Sequence, residues 1–306
     1  MARVTFQGTS DLTYQVLEAL RDAVHALGIA PPGVLLPEDH WVTLNGVRLH
    51  YLDWGNAHLP HVVLLHGDGL QAHTWDLAAL LLRDQYHLVA LSSRGHGDSG
   101  WTPESDLGRD RSDLLLDDTS AFVEHLGYAK PALVGMSLGG LTAYRFAARF
   151  SEKLSGLVIL DAAPELELAG LEEIARHRSA SEVHATFDDF LRAAQRFMPE
   201  RPLAQLRYSL LHALKRLPDG NWIWKRDLRP TRTPDSAERA ARTAALWQDV
   251  QAIRTPTLLL RGELSKLLSS EVAARVGRKL SNGRLVTIRG AGHNLNGDAP
   301  AEVAGR

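Results

Sequence analysis

The sequence predicts an α/β fold: a mostly parallel central sheet with helices on both faces and a helical cap inserted above one edge. Three observations predict it. From residue 61 onward, short runs rich in leucine and β-branched residues alternate with helical stretches, the pattern of successive βαβ units. A turn rich in glycine or polar residues follows each of six such runs: HGDG, SRGHGDS, GMSLGG, DAAP, RGEL and GAGH. In sheets of this kind, ligand chemistry gathers at the carboxyl ends of the strands, where all six turns fall. Finally, the alternation is interrupted once, over residues 165–250, by a helical and aromatic segment.

Taken in order, residues 10–28 open on a Ser-Asp cap signal and set Leu12, Val16, Leu20, Val24 and Leu27 at helical spacing, ending at Gly28. This amphipathic helix is expected to pack on the body or on a second subunit. A Pro/Gly loop, APPGVLLPED, separates it from two strand-like runs, WVTL and VRLHYLDWG, around the hairpin signal Asn45-Gly46. Strands are then expected in HVVLL, HLVAL, PALVG, GLVIL, TPTLLL and RLVTI. The intervening helices are LAALLLRD, SDLLLDDTSAFVEHLG, LTAYRFAARF and EVAARVGRKL. Within 165–250, LEEIARHR and FDDFLRAAQRFM read as helices, and no clear strand run appears beside the aromatic GNWIWKRDL. The expected division is therefore an N-terminal extension over 1–39, a core over 40–164 and 251–306, and a cap over 165–250.

Charge and cysteine content narrow the chemistry. With 34 Lys+Arg against 36 Asp+Glu and no long basic block, neither nucleic acid nor an anionic membrane is an expected partner. No run approaches the roughly 20 apolar residues of a membrane span, and no secretory signal opens the chain, so a soluble, cytoplasmic protein is expected. Cysteine is absent, which removes disulfides, a thiol nucleophile and thiolate metal sites together.

The stretch PALVGMSLGGL, residues 131–141, carries the strongest chemical signal. A serine hydroxyl becomes a nucleophile only when a base takes its proton and nearby donors stabilise the oxyanion. A sharp strand-to-helix turn lifts such a serine clear of the sheet, and small neighbours keep the turn from clashing. Gly135, Gly139 and Gly140 supply that smallness around Ser137.

With these motifs in this order, the chain resembles the α/β-hydrolase fold superfamily, in its capped branch of esterases, lactone hydrolases, C–C bond hydrolases, epoxide hydrolases and haloalkane dehalogenases. The resemblance covers about residues 40–300. It implies Ser137 as nucleophile and His293, closing GAGH, as its base. It also implies an oxyanion hole from the backbone N–H groups of Leu138 and Asp68, with His66 and His96 bracing the loops. A carboxylate at Asp68 would oppose a developing oxyanion unless it is turned away or paired.

The acid departs from the pattern. Many relatives carry it in the loop after the strand TPTLLLRG, but RGELSKLL places Lys266 there. Asp161, at the end of LVILDAAP and 24 residues beyond Ser137, where some relatives carry their acid, is the expected replacement, with Glu263 as an alternative. A third alternative is a weakened dyad or a member that binds without turnover.

A serine nucleophile disfavours epoxide and haloalkane chemistry, which needs a carboxylate there. The resemblance then implies hydrolysis of a carboxylic ester or lactone through an acyl-enzyme; C–C cleavage or cofactor-free oxygenation are the alternatives. Trp75, Trp222 and Trp224 suggest an apolar or aromatic small-molecule substrate, although each could serve packing alone. No cofactor is expected, and no metal, because spacings such as His61 and His66 lack a carboxylate cluster. Only 13 residues follow His293. The final helix usual in the family is thus expected to be short or trimmed, with the 10–28 helix covering the exposed surface or making a homodimer contact.

Overall fold

Eight strands form one sheet, antiparallel at its first edge and parallel beyond it. The computed structural model describes residues 9–172, 183–229 and 235–306. The hairpin comes first: β1 (Glu38–Leu44) and β2 (Val47–Asp53) pair antiparallel, with Asn45 and Gly46 at φ 48° and 74° in the turn. Both central residues take the left-handed conformation that suits a two-residue hairpin. β2 joins β4 (His87–Leu91) antiparallel, and from there the sheet is parallel through β3 (His61–Leu65), β5 (Ala132–Met136), β6 (Gly156–Leu160), β10 (Thr257–Gly262) and β11 (Gly283–Ile288). All six strands expected after residue 61 form. β4 is buried along its whole length, as a strand covered on both faces must be.

Helices α2 (Asp76–Leu82), α3 (Arg111–Leu126) and α4 (Leu138–Phe150) cover the sheet in the first half of the chain. One core cluster joins Val63, Leu133 and Ile159 of the sheet to Phe122 of α3 and Tyr144 and Phe146 of α4; a second, on the other face, joins Leu64, Leu88 and Leu160 to Ala79 of α2.

The segment over 165–250, expected as a cap, differs from expectation in two ways. It contains a small antiparallel sheet, β7 (Val183–His184), β9 (Trp222–Trp224) and β8 (Leu214–Arg216), strands too short to show a period in sequence. Helix α5 (Phe187–Phe197) starts at a Thr186/Asp189 capping box, and α6 (Leu203–Ala213) packs on it through Phe190, Leu191, Leu206 and Leu210. The cap also ends earlier than expected. Helix α7 (Ser236–Ala252) packs Leu246, Trp247 and Val250 into the main core beside α4, so it belongs to the body. Most of LEEIARHR lies outside the described residues.

Helix α1 (Thr9–Ala26) buries Ala19, Leu20, Ala23 and Val24 against Leu77 and Leu80 of α2 and Tyr208 of α6. The buried part of its apolar stripe is thus occupied within the chain, packed against both α2 and α6. The chain closes with α8 (Ser270–Lys279) and two short helices, α9 (Leu295–Asp298) and α10 (Pro300–Ala304). Because Leu20 is fully buried, Leu20→Ala is expected to lower stability by about 2–4 kcal/mol. Urea unfolding checks it; a midpoint equal to that of the parent would mean that α1 is not part of the cooperative unit. Among the described residues, no helix is long and apolar enough to cross a membrane.

Candidate active site

Backbone strain singles out two residues. Among the described residues, four non-glycines have positive φ. Asn45 and Asn56 are of the type that tolerates the left-handed region; the other two are Ser137 (φ 51°) and Asp161 (φ 49°). Such strain persists only where surrounding structure over-determines it, and it concentrates at functional sites. Here the sheet does so. Ser137 follows β5 and its N–H donates to Leu160 O at 3.0 Å, while the N–H of Asp161 donates to Leu260 O at 2.8 Å. The register Met136↔Leu160 brings Ser137 and Asp161 to the ends of adjacent parallel strands.

The glycines around Ser137 are there for close approach. A side chain at Gly135 would strike the backbone of Gly139 and Gly140, and one at Gly139 would strike Leu65 and His66. A Cβ at Gly67 would lie 2.7 Å from Met136 and 3.2 Å from Ser137 Cβ, so the HGDG loop passes directly over the turn. Leu138 is the first residue of α4, and its N–H therefore has no intrahelical acceptor. The next N–H, from Gly139, donates to His66 O at 3.1 Å.

His66 fixes that loop. Its Nε2 accepts from the N–H of Ser93 at 2.9 Å, so the proton lies on Nδ1, which donates to Gly67 O at 2.7 Å. Burial pulls its pKa from the usual 6.5 down to about 3. A histidine neutral when folded but protonated when unfolded contributes its full stability above pH 6.5 and loses it as pH falls toward 3. Urea midpoints are expected to drop across that window, and more shallowly in His66→Gln; parallel pH profiles would contradict this role.

Asp68 is paired. Its Oδ1 accepts from Arg111 at 2.7 Å and lies 3.4 Å from His96 Nε2, so its charge is offset. Cap residue Arg226, 9% exposed, reaches the neighbouring Gly69. In the SRGHGDS loop, Arg94 makes a buried two-pronged pair with Asp118 of α3, at 2.6 and 2.7 Å.

The structure places His293 and Asp161 in contact. His293 lies on the loop after β11 and its Nδ1 is 2.8 Å from Asp161 Oδ2. Asp161 is fully buried, and Oδ1 accepts from the N–H of Gly262 at 3.0 Å. Oδ2 also accepts from the hydroxyl of Ser265, which in turn accepts from the N–H groups of Leu267 and Leu268 at 3.2 and 3.1 Å. Sequence reasoning passed over Ser265 for its neighbour Lys266, whose side chain is exposed. The glycine of RGEL is needed because a side chain at Gly262 would strike Ala291 and Gly292 of the histidine loop.

Two expectations are corrected. Glu263 is exposed and accepts from Gly290 N–H at 2.9 Å, so it braces the histidine loop instead of meeting His293. Trp75 packs inward, while Trp222 and Trp224 are half-buried. Trp75 is 2% exposed, in the core with Trp54, Leu88 and Leu295. Trp222 and Trp224 face the cap's own helix α5, edge-on to Phe187 and Phe190 at 5.5 and 5.1 Å. Two residues apart on a strand, they share one face, and that face is the inside of the cap.

A parallel sheet with a strained serine between β5 and α4, and a histidine–carboxylate pair at the same edge, defines the class. The alpha/beta hydrolase family model matches residues 62–306, and the chain belongs to that family. Among individual proteins, the chain is 32% identical over 276 residues to esterase Rv0045c of Mycobacterium tuberculosis, spanning 87% of this chain and 86% of that one. The crystal structure of that esterase overlays with a TM-score of 0.74 across 95% of both chains, at 28% identity. The 2-(acetamidomethylene)succinate hydrolase of Mesorhizobium japonicum is 25% identical over 276 residues, covering 87% of this chain and 93% of its own. The 3-hydroxybutyrate-oligomer hydrolase of Cupriavidus necator is 26% identical over 268 residues, covering 84% and 90%.

Proposed function

We propose that the chain is a serine hydrolase that cleaves a carboxylic ester or lactone through an acyl-enzyme on Ser137. The observation that carries this reading is the His293–Asp161 contact at the sheet edge where the strained Ser137 sits. Similarity to an esterase and to an oligomer hydrolase supports ester bonds as the target.

With Nδ1–H donated to Asp161, His293 presents the lone pair of Nε2. His293 takes the Ser137 proton as the hydroxyl attacks the carbonyl carbon, forming a tetrahedral intermediate. The N–H groups of Leu138 and Asp68 stabilise its oxyanion, with Arg111 offsetting the Asp68 carboxylate nearby. Asp161 holds the imidazole in one tautomer and stabilises the imidazolium. As the intermediate collapses, His293 gives the proton to the departing alcohol; water then attacks the acyl carbon while giving a proton to His293, and His293 passes that proton to Ser137 Oγ as the acyl–oxygen bond breaks and the acid leaves. No step requires a cofactor. With Trp75 in the core and Trp222 and Trp224 half-buried against α5, the proposal rests on the bond cleaved.

A serine-directed fluorophosphonate is expected to add covalently at Ser137, read by mass spectrometry on the digested protein, and to abolish hydrolysis of p-nitrophenyl acetate. An unlabelled Ser137 in folded protein would leave a chain that binds without turnover.

A further inference from the structure

A second group of chemically active side chains sits at the joint between cap and body. The short 3-10 turn Ala72–Trp75 runs directly into α2, which puts His73 and Asp76 three residues apart on one side of the chain. His212 comes from the last turn of cap helix α6. Its ring stacks on His73 with centroids 3.5 Å apart and planes at 25°. His73 Nδ1 is 2.9 Å from Asp76 Oδ2, and one ligand-type atom from each of the three residues lies within 4.8 Å of the other two. Tyr208, one turn before His212, donates its hydroxyl to Asp76 Oδ2.

Two atoms in this group are left over. Asp76 is 1% exposed, yet its Oδ1 has no hydrogen-bond partner, and neither has the buried Nε2 of His212. A buried polar atom without a partner is destabilising, and here a carboxylate oxygen and an imidazole nitrogen are orphaned in one cluster. Both are electron-pair donors, so what satisfies them together is a proton donor or a cation. Two imidazoles and one carboxylate suit a transition metal ion of the zinc or nickel kind; calcium and magnesium prefer sites made of oxygen alone.

We propose that His73, Asp76 and His212 bind one divalent transition metal ion at the cap–body joint. Tyr208 positions the carboxylate, as outer hydrogen-bond partners commonly do for metal ligands. Three protein ligands leave a position for water. The ion fastens α6 of the cap to α2 of the body. Both sides also reach the histidine loop: Gln205 of α6 donates to Gly297 O, and Asn296 Nδ2 donates to Thr74 O at 2.7 Å. The filled site therefore restrains the cap and braces the segment that follows His293.

The test is calorimetric titration of the chelator-treated full chain with ZnCl2 and with NiCl2, alongside thermal melting. One ion per chain, micromolar affinity and a raised Tm are expected. Affinity should fall roughly tenfold or more in His73→Gln and His212→Gln, and persist in His293→Ala. No binding by the parent, full affinity in both glutamine variants, or loss in His293→Ala alone would overturn the site. Hydrogen exchange on the parent chain keeps the question open to test even if a variant does not fold. Zinc should slow exchange in peptides over 70–80 and 203–216; slowing confined to 288–298 would place the ion at His293 and refute the proposal.

Discussion

Ser137→Ala is expected to lower kcat for p-nitrophenyl acetate by about 10^4-fold or more while leaving the fold intact. The size follows from what the hydroxyl does. In the proposed mechanism it is the atom that bonds to substrate, so its loss removes the covalent route and leaves only water beside His293 and the proposed oxyanion donors. Stability should barely change, since alanine carries the same cost as serine at φ 51° and Ser137 is anchored through its backbone, N–H to Leu160 O and O to Leu141 N–H. Steady-state kinetics and a melting curve on one preparation separate the two effects. Residual kcat within tenfold of the parent at unchanged Tm would remove Ser137 from the chemistry.

Asp161→Asn should lower kcat by about 10^2–10^4-fold, because an amide can offer its NH2 to His293 Nδ1 and hold the ring in the wrong tautomer. It should also cost stability. The buried carboxylate accepts from Gly262 N–H, the Ser265 hydroxyl and His293, and an amide has one acceptor oxygen to divide among them. Glu263→Gln is the control, with kcat expected within about twofold of the parent because its carboxylate meets Gly290 instead. A large loss in Glu263→Gln with Asp161→Asn unaffected would reverse the assignment of the acid. Lys266→Asp should bring no gain, since Asp161 and Ser265 already occupy the place beside His293.

Much of the body was legible because its signals are local. HVVLL, HLVAL and GLVIL each pack a strand's worth of apolar residues before a turn, and the Gly-x-Ser-x-Gly spacing around Ser137 reflects clashes within a few residues of chain. Asp161 was reachable by a longer route, from Lys266 in the place of a carboxylate and from one helix and one strand separating Ser137 from a strand-end aspartate. What escaped depends on tertiary packing. Two- and three-residue strands such as Val183–His184 and Trp222–Trp224 carry no readable period. Whether α7 lies on the cap or the body is decided by what Leu246 and Val250 touch. The direction in which Trp222 and Trp224 face is set by α5, and His73 meets His212 only because α6 folds back on α2. Ser265 carries no signal in sequence because its role lies in a single hydroxyl aimed at Asp161 on a distant strand.

The placement of Asp161 on the strand next to Ser137 bears on how the site comes together as the chain folds. Residues 132–161 form one βαβ unit with β5 and β6 parallel, so forming that unit brings two of the three proposed triad residues together through contacts close in sequence. Only His293 has to arrive from far along the chain. If its docking onto Gly262 and Asp161 comes last, activity during refolding should lag behind the recovery of the sheet, and simultaneous recovery of the two would contradict that order.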